Sequence, residues 1–408
     1  MENIFEFDLF SILISTCYFG LVIAALMLLL SYGKKIKKNA FFSLVFGVSL
    51  YYSFFLLNHL FPFKSTAPDS IYYANIITDF WGNYDAWTIG VKLYALINFI
   101  PFQFSLRYPV VFILINIFFF YAGVIFIGKS FIRLMRFYDI SISKNFMAHL
   151  LLYTAFYPAA IIIIPTLLRE GSMIFFFGLC TYSLSIIYTE TERINKANIA
   201  VFIIALILLT LIRPIGGVSY MVAIFVFYLF RSFKKGSVKN ILISLFSLLL
   251  FVLLINFIVD TFYNLSFSFS WIDKFRASHK ELFGTESYGT ELNWSGGWAS
   301  MKSSFLLFLQ YLFSPFPILI PTGIALQKTI PLLDACFIFF SIVPALFYSK
   351  IKPVKIILYF CFILLMIPAF VETHITGAYR HRMNAIVMLL PVFAFAMNKV
   401  LFKITSSK

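Results

Sequence analysis

The chain has 408 residues, of which 61% are hydrophobic, 20% aromatic and 12% charged, with a net charge of +15. A composition this apolar excludes the water-soluble globular classes and makes nucleic-acid binding a poor explanation of the positive charge, so no nucleic-acid partner is expected. Because the apolar runs are continuous and do not alternate with polar residues, a β-barrel is also excluded. The fold class that remains is all-α, a polytopic integral membrane protein whose residues 1–408 form a single transmembrane domain.

In chain order, Glu2, Glu6 and Asp8 precede an apolar run over 9–31 that is too long for the core of a signal peptide, which predicts a first span and no cleavable leader. Further uninterrupted windows predict spans near 40–62, 108–128, 147–165, 172–189, 198–213, 216–230, 240–262, 331–348, 354–371 and 384–402, eleven in all. The apolar segment 304–325 is interrupted by Pro315, Pro317 and Pro321. Each proline removes a helical hydrogen bond, so this segment is expected to be a bent or re-entrant hairpin. With eleven spans and an external N-terminus, the lysine-rich segments around Lys34–Lys38, Lys234–Lys239, Lys350–Lys355 and Lys399–Lys408 all fall inside, as the positive-inside rule prefers, and the C-terminus is cytoplasmic. Two long loops, 63–107 and 263–303, then lie outside. The first contains an apolar stretch, 88–100, expected to be an interfacial helix; the second carries Trp271, Trp294 and Trp298, which suit either a cover over substrate or headgroup anchors.

Cys17, Cys180, Cys336 and Cys361 all sit within apolar runs and read as packing residues. No zinc spacing, phosphate-binding loop or dinucleotide fingerprint is present, so neither a metal nor a cofactor is expected.

Charged side chains gather at the external ends of the expected spans, where a neutral residue would be cheaper. Asp69, between Pro68 and Ser70 and just before Tyr72 and Tyr73, can accept a proton from a hydroxyl or hold a divalent ion; an ordinary turn or helix cap is the alternative. Arg169 and Glu170 lie between the fourth and fifth spans. The planar fork of Arg169 suits a phosphate, unless it is only paired with Glu170 and snorkelling to the interface. Arg213, before Pro214, would meet Arg169 if the sixth span packs near the fourth, or would simply snorkel. His374, Tyr379, Arg380, His381 and Arg382, just ahead of the last span, place cations on the outer face against the usual trend. An anionic substrate or lipid headgroups would explain them.

If these groups converge at the outer hydrocarbon boundary, their substrate is anionic and partly hydrophobic. Asp69-Ser70 with Tyr73, Leu168-Arg169-Glu170, Arg213-Pro214, Ser314-Pro315-Phe316-Pro317 and Tyr379-Arg380-His381-Arg382, in that order, resemble bacterial polysaccharide polymerases: the O-antigen repeat-unit polymerases of the Wzy type and the related GT-C membrane glycosyltransferases. The resemblance implies an inner-membrane enzyme that polymerises undecaprenyl-diphosphate-linked repeat units on the periplasmic face, with those lipid-linked glycans, membrane lipids and a chain-length regulator protein as partners. It further implies that Arg169, Arg213, Arg380 and Arg382, with Tyr379, hold the diphosphate. Asp69 is then the base for the acceptor hydroxyl, Glu170 an alternative base or an orienting partner of Arg169, and His374 and His381 acid/base or hydrogen-bonding groups. The first loop lacks the paired acidic motif common in GT-C enzymes, which argues against a metal-dependent mechanism. A single-sugar transferase, a lipid-linked oligosaccharide flippase or an acyltransferase are the competing readings.

Overall fold

The computed structural model describes residues 9–31, 37–60, 68–82, 88–190, 195–234, 276–278, 281, 293, 296–313, 326–373 and 375–406. Among the described residues every regular element is a helix: α1 (Leu9–Ser31), α2 (Lys38–Leu60), α3 (Pro68–Thr78), α4 (Ile89–Phe104), α5 (Val110–Phe137), α6 (Phe146–Ala155), α7 (Pro158–Ile163), α8 (Glu170–Thr189), α9 (Lys196–Ile212), α10 (Pro214–Lys234), α11 (Gly297–Phe313), α12 (Leu326–Phe347), α13 (Lys352–Val371) and α14 (Ile375–Ser406). Five of them are long and apolar enough to cross a bilayer: α2, α5, α8, α13 and the Phe10–Ser31 part of α1. The outward faces of α1 and α9 carry Phe10, Leu21, Leu28, Ile203, Ile204 and Ile207. A helix bathed in hydrocarbon needs no polar outer face, since its backbone is satisfied internally.

Three expectations change. The run 147–165 is two helices, α6 and α7, broken at Phe156–Tyr157, because Pro158 has no N–H to donate and disfavours helical geometry in the residue before it. Asp69 stands in the first turn of α3 and not on a loop; the fixed φ of Pro68 suits a first helical position, and an acidic side chain there complements the helix dipole. Residues Tyr379–Arg382 lie within α14, which starts at Ile375 and so extends the expected last span by more than two turns. No proline separates them from the span, and Pro391 further along α14 is tolerated inside a helix whose neighbours can satisfy the freed carbonyl. A helix does cover the stretch 88–100: α4, which runs through Pro101 to Phe104. The expected eighth span, 240–262, and Pro315, Pro317 and Pro321 lie outside the described residues.

The chain divides into two compact units: Met1–Arg213 with Ser341–Pro353 and Val387–Lys408, and Pro214–Phe340 with Val354–Ile386. In the first unit α5 is the most deeply buried span and packs lengthwise on α8. The two helices run parallel, since Asn116 meets Gly171, Gly123 meets Ile174, and the Ser130 hydroxyl donates to the Thr181 carbonyl at 3.2 Å. Small residues recur every seven positions along the seam, Gly123 and Ser130 on α5 and Gly171, Gly178 and Ser185 on α8. A Cβ at Gly178 would run into the Gly123 carbonyl and one at Gly123 into that of Ile174. Within a bilayer, where apolar side chains gain little by leaving lipid, such close backbone approach provides the packing that holds two helices together. α2 is tied in by the Tyr51 hydroxyl, which donates to the Thr154 carbonyl of α6 at 2.8 Å while its ring stacks on Phe120 at 5.6 Å.

The second unit packs aromatic rings from α10, α11 and α13: Phe227 on Phe360 at 5.7 Å and Phe308 on Phe362 at 5.2 Å.

Candidate functional site

In the first unit, Arg169, Glu170 and Arg213 gather where α8 begins. The irregular turn 164–169 delivers the chain into α8 with Arg169 as its N-cap and Glu170 in its first turn. Opposite it, α9 ends at Ile212, because Arg213 precedes Pro214 and is driven into an extended conformation (φ −148°, ψ 95°) that a helix cannot continue. This places the two arginines side by side. Arg213 Nη1 donates to Glu170 Oε1 at 2.7 Å; the Glu170 side chain is 0% exposed and that of Arg213 13%. Arg169 Nη1 donates to the Ile212 carbonyl at 3.0 Å, at the negative end of α9, and its guanidinium lies 5.5 Å from the centre of the Tyr73 ring.

These two groups are in different states. Arg213 is neutralised by a buried carboxylate, whereas Arg169, partly exposed, makes one hydrogen bond among the described residues. Most of the Arg169 N–H groups are therefore left for solvent or an anion. Both sit at the positive end of α8, where an anion is favoured on general grounds.

Two buried tyrosines pack beside these residues. Tyr73 of α3 meets Tyr94 of α4 edge-on at 5.0 Å, and the Tyr94 hydroxyl donates to the Leu168 carbonyl at 3.2 Å. Burial pushes the Tyr73 phenol above its ordinary range. Arg169 pulls it back, Glu170 and Asp69 push it further up, and Arg213 again opposes. Burial likewise raises Tyr94 well above that range, with Tyr73 and Glu170 adding to it and Arg169 and the Asn98 side chain opposing. Both are neutral phenols, able to donate hydrogen bonds. Asp69, one helical turn before Tyr73, is exposed, and its charge is felt at the Tyr73 phenol. Gly90 of α4 lies directly against the Leu211 carbonyl of α9, a closeness that no Cβ would permit, and this holds α4 against the end of α9.

In the second unit, Arg382 is enclosed. Its Nε and Nη2 reach Asp334 Oδ2 at 2.9 and 2.5 Å, its Nη1 reaches the carbonyls of Tyr311 and Leu312 at 2.9 Å each, and the Arg382 and Asp334 side chains are both 0% exposed. The carbonyls belong to the last turn of α11, so Arg382 caps that helix and balances a buried aspartate. One residue earlier, His381 Nδ1 lies 2.6 Å from Glu372 Oε2, with 19% of the histidine side chain exposed, and Glu372 Oε1 accepts the Thr373 N–H at 3.1 Å. Arg276 donates to the Phe370 and Glu372 carbonyls at 3.3 Å each, capping the end of α13. Tyr379 is buried and Arg380 partly exposed. His374 lies outside the described residues.

Of the residues read from sequence, Asp69, Arg169, Glu170 and Arg213 come together with Tyr73 in the first unit, while Tyr379, Arg380, His381 and Arg382 belong to the second. Tyr94, Asn116 and Asp334 were not singled out from the sequence. The signal for the last two was available: Asn116 is the one amide in an apolar run from Val110 to Ala122, and Asp334 is a carboxylate within the apolar window 331–348. Each is a polar group inside an apolar stretch, which normally marks a partner. No family model, no curated protein and no solved structure matches this chain.

Proposed function

We propose that the protein is a membrane glycosyltransferase that polymerises undecaprenyl-diphosphate-linked oligosaccharide repeats at the outer face of the bacterial inner membrane, through eleven spans with an external N-terminus. The observation that carries this reading is Arg169, a partly exposed guanidinium at a helix N-terminus with most of its fork unspent, beside a second arginine held in place by a buried glutamate. Charge accumulates on the diphosphate as the glycosidic bond breaks. A preorganised cation that meets this leaving group stabilises the transition state more than the ground state.

In this reading Arg169 contacts the leaving phosphate and Arg213, through Glu170, sets the local geometry. Asp69 accepts the proton of the attacking hydroxyl from an exposed position on α3. Because Glu170 is buried against Arg213, it is read as an orienting group and not as the base. Arg382 is read as structural, since its fork is occupied by Asp334 and two carbonyls. A second reading, an acyl or single-sugar transferase using the second unit, draws on the His381–Glu372 pair, in which a carboxylate orients an imidazole as it would for a general base.

The test is gel analysis of surface polysaccharide from cells lacking the gene and complemented with either the native protein or Arg169→Ala. Single-repeat glycan in the null strain and in the variant, with normal protein levels, is expected. Loss of one sugar from every repeat would replace polymerisation by single-sugar transfer, and native chain lengths in the variant would remove Arg169 from the site.

A further inference from the structure

Asn116 is buried in the second turn of the best-enclosed helix, α5, surrounded in sequence by valine, isoleucine, leucine and phenylalanine. An amide in such a place costs free energy unless its polar atoms are used. Its Nδ2 donates to two carbonyls at once, Ile164 and Thr166, each at 2.8 Å. These lie just beyond α7, at the end of a helix that nothing continues, where carbonyls have no intrahelical partner. The Thr166 carbonyl also accepts the Leu168 N–H at 2.9 Å, which tightens the chain into a turn. From the other side the Tyr94 hydroxyl holds the Leu168 carbonyl at 3.2 Å. The next residue is Arg169. Gly171, one helical step beyond Glu170, lies directly against the Asn116 side-chain and main-chain oxygens, where no larger residue fits.

We propose that Asn116 and Tyr94 are positioning residues: a two-sided clamp, one side chain from α5 and one from α4, that fixes the turn 164–168 and thereby the place of the Arg169 guanidinium. The clamp rests on the reading of Arg169 as the phosphate ligand for its consequence in activity, but its geometry can be measured without it. Neither residue touches substrate. Loosening the turn spreads Arg169 over several positions and weakens its hold on the leaving diphosphate, in the transition state more than in the bound donor.

The experiment uses the full-length protein in nanodiscs, with elongation of lipid-linked repeats followed over a range of donor concentration. Tyr94→Phe, which keeps the ring and removes one hydroxyl, is expected to lower kcat/KM for the donor about five-fold, with most of the loss in kcat, the size of one lost hydrogen bond. Asn116→Ala is expected to lower it more than ten-fold, and Asn116→Gln to recover part of the loss by returning an amide. In parallel, Thr166→Cys is placed in a background without the four native cysteines and its labelling by a membrane-impermeant maleimide is timed. Asn116→Ala and Tyr94→Phe should each speed labelling several-fold. If Asn116→Ala does not accumulate, Tyr94→Phe carries both measurements.

Unchanged labelling rates in the variants would overturn the clamp. So would a rise in KM at constant kcat, which indicates a role in binding the donor other than placing Arg169 against the leaving group. If Arg169→Ala elongates normally while labelling still accelerates in the clamp variants, the glycosyltransferase reading fails and the clamp stands.

Discussion

Replacing Asp334 by Asn strands the Arg382 guanidinium, still charged, where neither side chain has any exposed surface. The native carboxylate accepts from Nε and Nη2 through a single oxygen, Oδ2. Removing one member of a buried pair in this way costs about 3–5 kcal/mol, most of it the penalty of an uncompensated charge. Replacing both, as Asp334→Leu with Arg382→Met, removes the charges together; what is then lost is the capping of the Tyr311 and Leu312 carbonyls, on the order of 1 kcal/mol each. The double variant should therefore be more stable than either Asp334→Asn or Arg382→Met alone, with a coupling of at least ~2 kcal/mol in the double-mutant cycle. Reversible unfolding of the full-length protein in detergent, followed by circular dichroism, measures all four corners. Destabilisations that simply add would refute the idea that the two side chains exist for one another.

Three further expectations follow from particular contacts. Gly178→Ala forces a methyl group against the Gly123 carbonyl and should lower stability by about 1–3 kcal/mol, whereas Gly20→Ala, which would meet nothing within 4 Å on α1, should leave melting unchanged or slightly raised. Arg169→Lys keeps the charge but neither the planar fork nor the stacking on Tyr73. Surface glycan should shorten toward single repeats at normal protein level, and native-length glycan would mean that a point charge suffices. Burial raises the Tyr73 phenol above its ordinary value of 10.0, so the folded protein favours the neutral form; that contribution is complete below about pH 10 and is lost as pH rises through the folded-state value. Melting temperatures taken from pH 8 to 11 should fall at the alkaline end, less steeply in Tyr73→Phe, and parallel curves would show that Tyr73 is not the group concerned.

Much of the architecture is legible in the residues themselves. A run such as 9–31 or 108–128 has only one way to satisfy its backbone in hydrocarbon, so the existence of α1 and α5 follows from composition alone. The break at Pro158 and the end of α9 before Pro214 also follow from local chemistry, although the expected spans near 147–165 and 198–213 use only the second of these signals. Arg169, Glu170 and Arg213 could be singled out in advance, because a charge at the edge of a span stands out against its neighbours.

What sequence alone determined, then, is that this chain lives in a bilayer as helices and that certain charges at helix ends require partners. Which partners they have was decided by tertiary packing. Glu170 might have paired with its neighbour Arg169 but takes Arg213 from another helix, and Arg382, which looked like a ligand for phosphate, is enclosed around Asp334. A single oxygen within 3 Å outweighs any regularity along the chain, because in a medium without water an ion gains far more from one close counter-charge than from its position in a motif.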